Sequence, residues 1–207
     1  MVLCIVLTAA IAVGGTLAVL TMVTSPITNV FTFGNIVITL SDVHHDGTNT
    51  TADNTLNTYD KFRPESGAYL QKEPKITVLP GSESCYVFIK VEKANSFDTF
   101  FEELKINAGW TLLSQVIENG VTSTVYYYNT AVDASNATTP TELPCVLDPN
   151  AGADNTTAAE LKVKTTYTSS DVSALNKDYP KLTFTGYAVQ TTGYATALEA
   201  WNDTFGK

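Results

Sequence analysis

Residues 110–129 read WTLLSQVIENGVTSTVYYYN, two β-prone runs on either side of Asn119-Gly120. Asn and Gly both tolerate a positive φ. An Asn-Gly pair between β-rich segments therefore closes a tight hairpin whose twist matches that of its strands. The expected strands are 110–117 and 122–129. In the second, Tyr126, Tyr127 and Tyr128 alternate across the sheet, so either Tyr127 or the Tyr126/Tyr128 pair faces the core. A surface aromatic platform, with Trp110 beside it, is the alternative use of these rings.

Working outward, the same logic finds more strands. Residues 86–91 place Val87, Ile89 and Val91 on one face and Tyr86, Phe88 and Lys90 on the other. Residues 76–79 precede them across a Pro80-Gly81 turn. Residues 30–40 alternate with a phase slip at Gly34-Asn35, the mark of a bulge. Residues 161–167 and 182–190 supply two further strands. Helical spacing is confined to three places. Phe97, Phe100, Phe101 and Leu104 stand at i, i+3, i+4 and i+7 with Ser96 as candidate N-cap. A turn is expected at 171–175, and Thr196 and Glu199 have capping-box spacing ahead of Trp201 and Phe205. Residues 41–75 and 130–158 read as long polar loops. Many strands and few helices make an all-β sandwich.

Charge divides the chain of 207 residues sharply. There are 12 Lys and Arg against 21 Asp and Glu, a net charge of −9, and every charge falls at or after Asp42. An acidic chain with no basic cluster argues against nucleic acid as a partner and against anionic lipid. In the uncharged part, residues 2–13 are apolar, Gly14-Gly15 follows, and small residues surround Ala18. That order fits a secretory segment cut after about residue 18, although no Lys or Arg precedes it. A transmembrane anchor over 2–23 is the competing reading; otherwise the membrane is met only through the leader before cleavage. Residues 19–29 would then be an uncharged, β-prone arm with Val19, Leu20, Met22, Val23 and Ile27 as its apolar members and Pro26 as a hinge. It would either pair with a neighbouring copy or lie as an edge strand on its own. The domain boundaries expected are 1–18, 19–29 and 30–207.

Chemistry-bearing residues are sparse. His44 and His45 are adjacent, near Asp42 and Asp46, so on extended backbone they point apart and read as solvated loop residues rather than metal ligands. The Asp46, Asp53 and Asp60 series lacks the spacing of a calcium loop. Glu102-Glu103 reads as the solvated face of a short helix. No nucleophile elbow or phosphate cradle occurs, so no catalytic residue, metal or cofactor is expected. With Cys4 in the leader, Cys85 and Cys145 remain, either as one disulfide closing about 60 residues or as two separate buried thiols. Asn49, Asn136, Asn155 and Asn202 each begin Asn-x-Ser/Thr.

Several segments carry a resemblance. Residues 14–18 (GGTLA) followed by 31–40 (FTFGNIVITL) resemble the signal peptide and first strand of the TasA/camelysin family, whose leaders are cut by the SipW type of signal peptidase. Residues 182–190 (LTFTGYAVQ), Tyr194 and 197–202 (ALEAWN) are similar to the C-terminal strand and helix of such exported proteins. Residues 80–91 (PGSESCYVFIKV), Gly109-Trp110 and 125–128 (VYYY) fit the same set. The resemblance implies a jelly-roll β-sandwich, secretion to the cell surface or biofilm matrix, and self-association into a homopolymer. The fibres would form by donor-strand complementation, with residues 19–29 as donor. Camelysin relatives bear a metalloprotease label, so a zinc protease using His44 or His45 is one rival. A glycan-binding surface module is another.

Overall fold

The Asn119-Gly120 turn forms where the sequence puts it. Asn119 has φ 50° and Gly120 φ 77°, and they join β5 (Trp110–Glu118) to β6 (Val121–Tyr128). In this computed structural model the described residues are 35–42, 66–67, 69–94, 96–146, 160–175 and 180–206. The hairpin continues into a four-stranded antiparallel sheet of order β5-β6-β4-β9, with β4 Cys85–Ala94 and β9 Lys181–Gln190. A three-stranded sheet has the order β1-β3-β7, from β1 Ile38–Ser41, β3 Lys75–Val78 and β7 Thr141–Pro144. A two-stranded pair joins β2 Tyr69–Gln71 to β8 Glu160–Lys162. With three short helices, α1 Phe97–Phe100, α2 Ser169–Ala174 and α3 Ala197–Phe205, the described fold is mainly antiparallel β.

Strand β4 organises the core because it is apolar on both faces. Val87, Ile89 and Val91 join Ile36, Ile38, Ile76, Val78 and Leu143 in the main cluster between the two larger sheets. Phe88 looks the other way and forms a second cluster with Val125, Val189, Ala197 and Ala200. A strand covered on both faces reads as a near-continuous apolar run. The second cover is α3, whose Trp201 ring lies 5.0 Å from Phe88 and 5.4 Å from Tyr187, with Phe205 4.8 Å further along the stack. Thr196 caps this helix by accepting the Glu199 N–H at 3.2 Å. The Glu199 carboxylate reaches back to the Ala195 N–H at 2.9 Å, one residue before the reciprocal position of a full box. Gly81, at φ 82°, closes the Pro80 turn as the type II geometry requires.

Three local expectations change. The aromatic run begins as a helix but stops after one turn, and Ser96, at φ 59°, makes no capping bond. All four apolar residues are buried as expected. Past Phe100, however, the backbone is drawn into pairing with the segment after β8. The Lys164 N–H donates to the Phe100 carbonyl at 2.8 Å, and the Glu102 N–H donates to that of Lys162 at 2.9 Å. A short isolated helix is marginal, so those contacts win. Both polar loops contain strands, β2 in the first and β7 in the second. Residues 161–167 are strand only to Lys162, with Val163 in an isolated bridge. The chain then turns into α2, which Thr168 and Asp171 close with a reciprocal capping box.

Candidate functional site

The residues singled out from the sequence fall into three groups. The leader 1–18 and the arm residues Val19, Leu20, Met22, Val23 and Ile27 lie outside the described residues, as do His44, His45, Asp46, Asp53, Asp60, Asn49 and Asn155. A second group is engaged in holding the fold together. The Asp42 carboxylate accepts from Lys72 Nζ at 2.9 Å and from the Glu73 N–H at 2.8 Å, pinning the end of β1 to the approach to β3. Glu102 pairs with Lys162 at 2.9 Å and is not on a helix face. Trp110 is buried, donates from Nε1 to the Pro144 carbonyl at 2.8 Å and meets the Tyr128 ring edge at 5.3 Å. Tyr126 and Tyr128 pack against the main core and Tyr127 against the second, so the triplet serves both faces.

The cysteines form the third group. Cys85 and Cys145 are each fully buried and free, and no bridge joins them. Burial, with the Asp133 carboxylate adding to it, pushes the Cys85 thiol up to about 12. Burial likewise raises Cys145, whose Sγ donates to the Leu143 carbonyl at 3.4 Å. Thiols held protonated in an apolar core pack as small hydrophobes. Asn136 and Asn202 are exposed. A shallow cleft near the hairpin tip is lined by Lys93, Phe97, Asp98 and Gly120. Its ammonium group is already engaged, at 3.3 Å from Asp98 and 5.6 Å from the Phe97 ring centre.

The feature that stands apart is the outer edge of β5. Among the described residues, β5 pairs with β6 alone, and it ends the four-stranded sheet. Six of its nine residues are exposed. Five large apolar side chains are exposed among the described residues, and three of them are on this strand: Leu112 at 57%, Val116 at 50% and Ile117 at 70%. A bulge at Leu113 explains the pattern, because the register passes from Leu112 opposite Tyr126 directly to Ser114 opposite Val125. Leu113 thereby turns into the second core. Beyond it the faces exchange: Ile117 lies opposite Thr122 on the side of the three-stranded sheet, and Val116 opposite Ser123 on the side of α3. Plain alternation along 110–117 does not reveal this bulge. The Leu112-Leu113 and Val116-Ile117 doublets are its sequence trace.

The margins of the three-stranded sheet, and the β9 margin of the four-stranded sheet, differ from the β5 edge. β1 and β7 are four residues long, β7 ends in Pro144, and its Glu142 is paired with Lys75 of β3 at 2.8 Å. β9 is long, but only Lys181 on it is exposed. Short length, proline and charge are the usual ways of keeping an edge from recruiting another strand. Before Glu118, β5 has none of them.

No helix among the described residues is long and apolar enough to cross a membrane. Searches against family models, curated proteins and solved structures found no match.

Proposed function

We propose that this chain is a secreted, non-enzymatic structural protein of the cell surface or extracellular matrix, of TasA/camelysin type. Its sandwich is of the jelly-roll kind, a leader over residues 1–18 is removed, and copies join by β-strand addition with residues 19–29 as donor. The observation that supports this reading is a combination of sheet order and sequence. Among the described residues β1 is an edge strand of the three-stranded sheet, and the sequence that precedes it carries no charge. A β-prone segment without charge is suited to pairing along the sheet edge of a neighbour.

Two measurements on the exported protein test it. N-terminal sequencing is expected to begin near Val19. Electron microscopy is expected to show fibres that Leu20→Lys with Met22→Lys abolishes, because each lysine would place a charge in a strand interface. Undiminished fibres in that variant would remove residues 19–29 from assembly.

A further inference from the structure

We propose that the outer edge of β5, Trp110–Glu118, is the acceptor site of this assembly, and that residues 19–29 of a second copy pair along it, so that copies join head to tail. The inference rests on the strand-addition reading above and identifies its missing half.

Three observations carry it. The first is the open edge itself, with Leu112, Val116 and Ile117 exposed on a strand whose outer side is unpaired among the described residues. The second is chemical fit. Leu112 and Ile117 project on one face of the sheet and Val116 on the other, so a strand that covers both must itself be apolar on both faces. Residues 19–23, VLTMV, meet that condition at the period of two, with Val19 and Val23 on one face and Leu20 and Met22 on the other. Two chains each bearing −9 repel. An uncharged donor on a strand neutral up to Glu118 brings them together without opposing like charges at the contact.

The third observation is position. β1 packs against β9, and β9 is the opposite margin of the sheet from β5. Three inter-strand steps, roughly 14 Å at about 4.8 Å each, separate those margins. Among the described residues, the first strand and the acceptor edge therefore lie toward opposite margins of the four-stranded sheet. An interface of arm on edge is heterologous, and without rotational closure it propagates as an open filament.

The test uses the exported protein in two variants: an arm variant, Leu20→Lys with Met22→Lys, and an edge variant, Val116→Lys with Ile117→Lys. Both edge positions are at least half exposed, so the variant is expected to keep the wild-type unfolding midpoint. By sedimentation, each variant alone is expected to run as a monomer. Mixed in equal amounts they are expected to form dimers and nothing larger, since the edge variant still donates and the arm variant still accepts. Polymer from the edge variant with monomer from the arm variant would overturn β5 as acceptor and leave the donor reading standing. Dimer from the arm variant with monomer from the edge variant would mean that β5 pairs with β5, and polymer from the arm variant that β5 pairs with another surface of a neighbour; either would overturn the proposed occupant. A mixture that stays monomeric would also overturn the direct pairing. Wild-type protein that never polymerises would overturn the proposed function and this inference together.

Discussion

Gly186 tests whether the two larger sheets share a single core. It lies in the middle of β9 opposite Ile89, on the face toward the three-stranded sheet. A Cβ added there would stand 3.1 Å from Ile76 Cδ1, 3.4 Å from Ile76 Cγ1 and 3.7 Å from Ile38 Cδ1. Ile76 is fully buried and has little room to yield. Overpacking of this kind costs about 1–3 kcal/mol, while alanine recovers roughly 0.5–1 kcal/mol over glycine in a strand. Gly186→Ala is therefore expected to destabilise by about 1 kcal/mol, or roughly 2–4 °C in Tm for a chain of this size. Ile76→Val removes the Cδ1 nearest the new methyl and alone costs about 0.5–1.5 kcal/mol. In the double variant the added methyl occupies the vacated space, so the two costs are not expected to sum. Urea unfolding of all four proteins gives the coupling, expected at about 1 kcal/mol in favour of the double variant. Additivity within about 0.5 kcal/mol, or a stabilising Gly186→Ala, would refute the placement of β9 against β3.

The two described cysteines should resist alkylation in the native protein at pH 8 and both react in denaturant, since with a thiol near 12 the thiolate fraction of Cys85 there is on the order of 10⁻⁴. Denatured, unreduced protein in which Cys85 and Cys145 fail to label would show that they are bridged instead. The Asp171 carboxyl, held below its ordinary 3.8 by hydrogen bonds from the Thr168 hydroxyl and N–H, should titrate low by NMR. A depressed folded value means the cap stabilises above the unfolded pKa and that this contribution is lost as pH falls through the lowered one. Thr168→Ala should move the titration back toward 3.8 without reaching it, because the backbone N–H still donates; an unmoved titration would refute the capping geometry.

What the sequence discloses, and what it hides, follows from the range of the forces involved. The Asn119-Gly120 hairpin, the Pro80-Gly81 turn, the two faces of β4 and the Thr196 cap are all fixed within a few residues, and each was legible. β7 was not, because Thr141–Pro144 is short, contains a proline and takes its strand character from Lys75–Val78, a partner far away in sequence. An edge strand tolerates that proline, whereas pattern reading counts it against a strand. The helix from Phe97 was overextended for a related reason. Its periodicity identified four buried residues but carried no sign that the segment after β8 would claim the backbone of Phe100 and Glu102. Glu102 reads as a solvated acid because its lysine partner, Lys162, comes from a distant segment. The β5 edge was half legible: its doublets are visible, but the strand order that leaves it outermost is a property of the whole sheet.

An unguarded β5 makes physical sense only if something about the molecule restrains it. A long, apolar, uncharged edge is an aggregation site, and among the described residues both margins of the three-stranded sheet are blunted against that hazard while β5 is left open. The restraint is the net charge. At −9, copies approaching in arbitrary orientations repel, and a neutral edge alone does not overcome that repulsion over the wider surface. The uncharged donor segment proposed above would meet that edge without opposing like charges. Shielding the charge weakens the restraint, because at about 1 M salt the screening length falls to roughly 3 Å. Two distinct effects of salt are therefore expected. Specific assembly, limited by how often arm meets edge, should quicken with ionic strength and still require residues 19–29. Disordered association through β5 should begin only at high salt and should persist in the arm variant, but not in the edge variant. Light scattering of the two variants across a salt series separates them. If high salt aggregates the edge variant as readily as the arm variant, β5 is not the surface that the charge restrains.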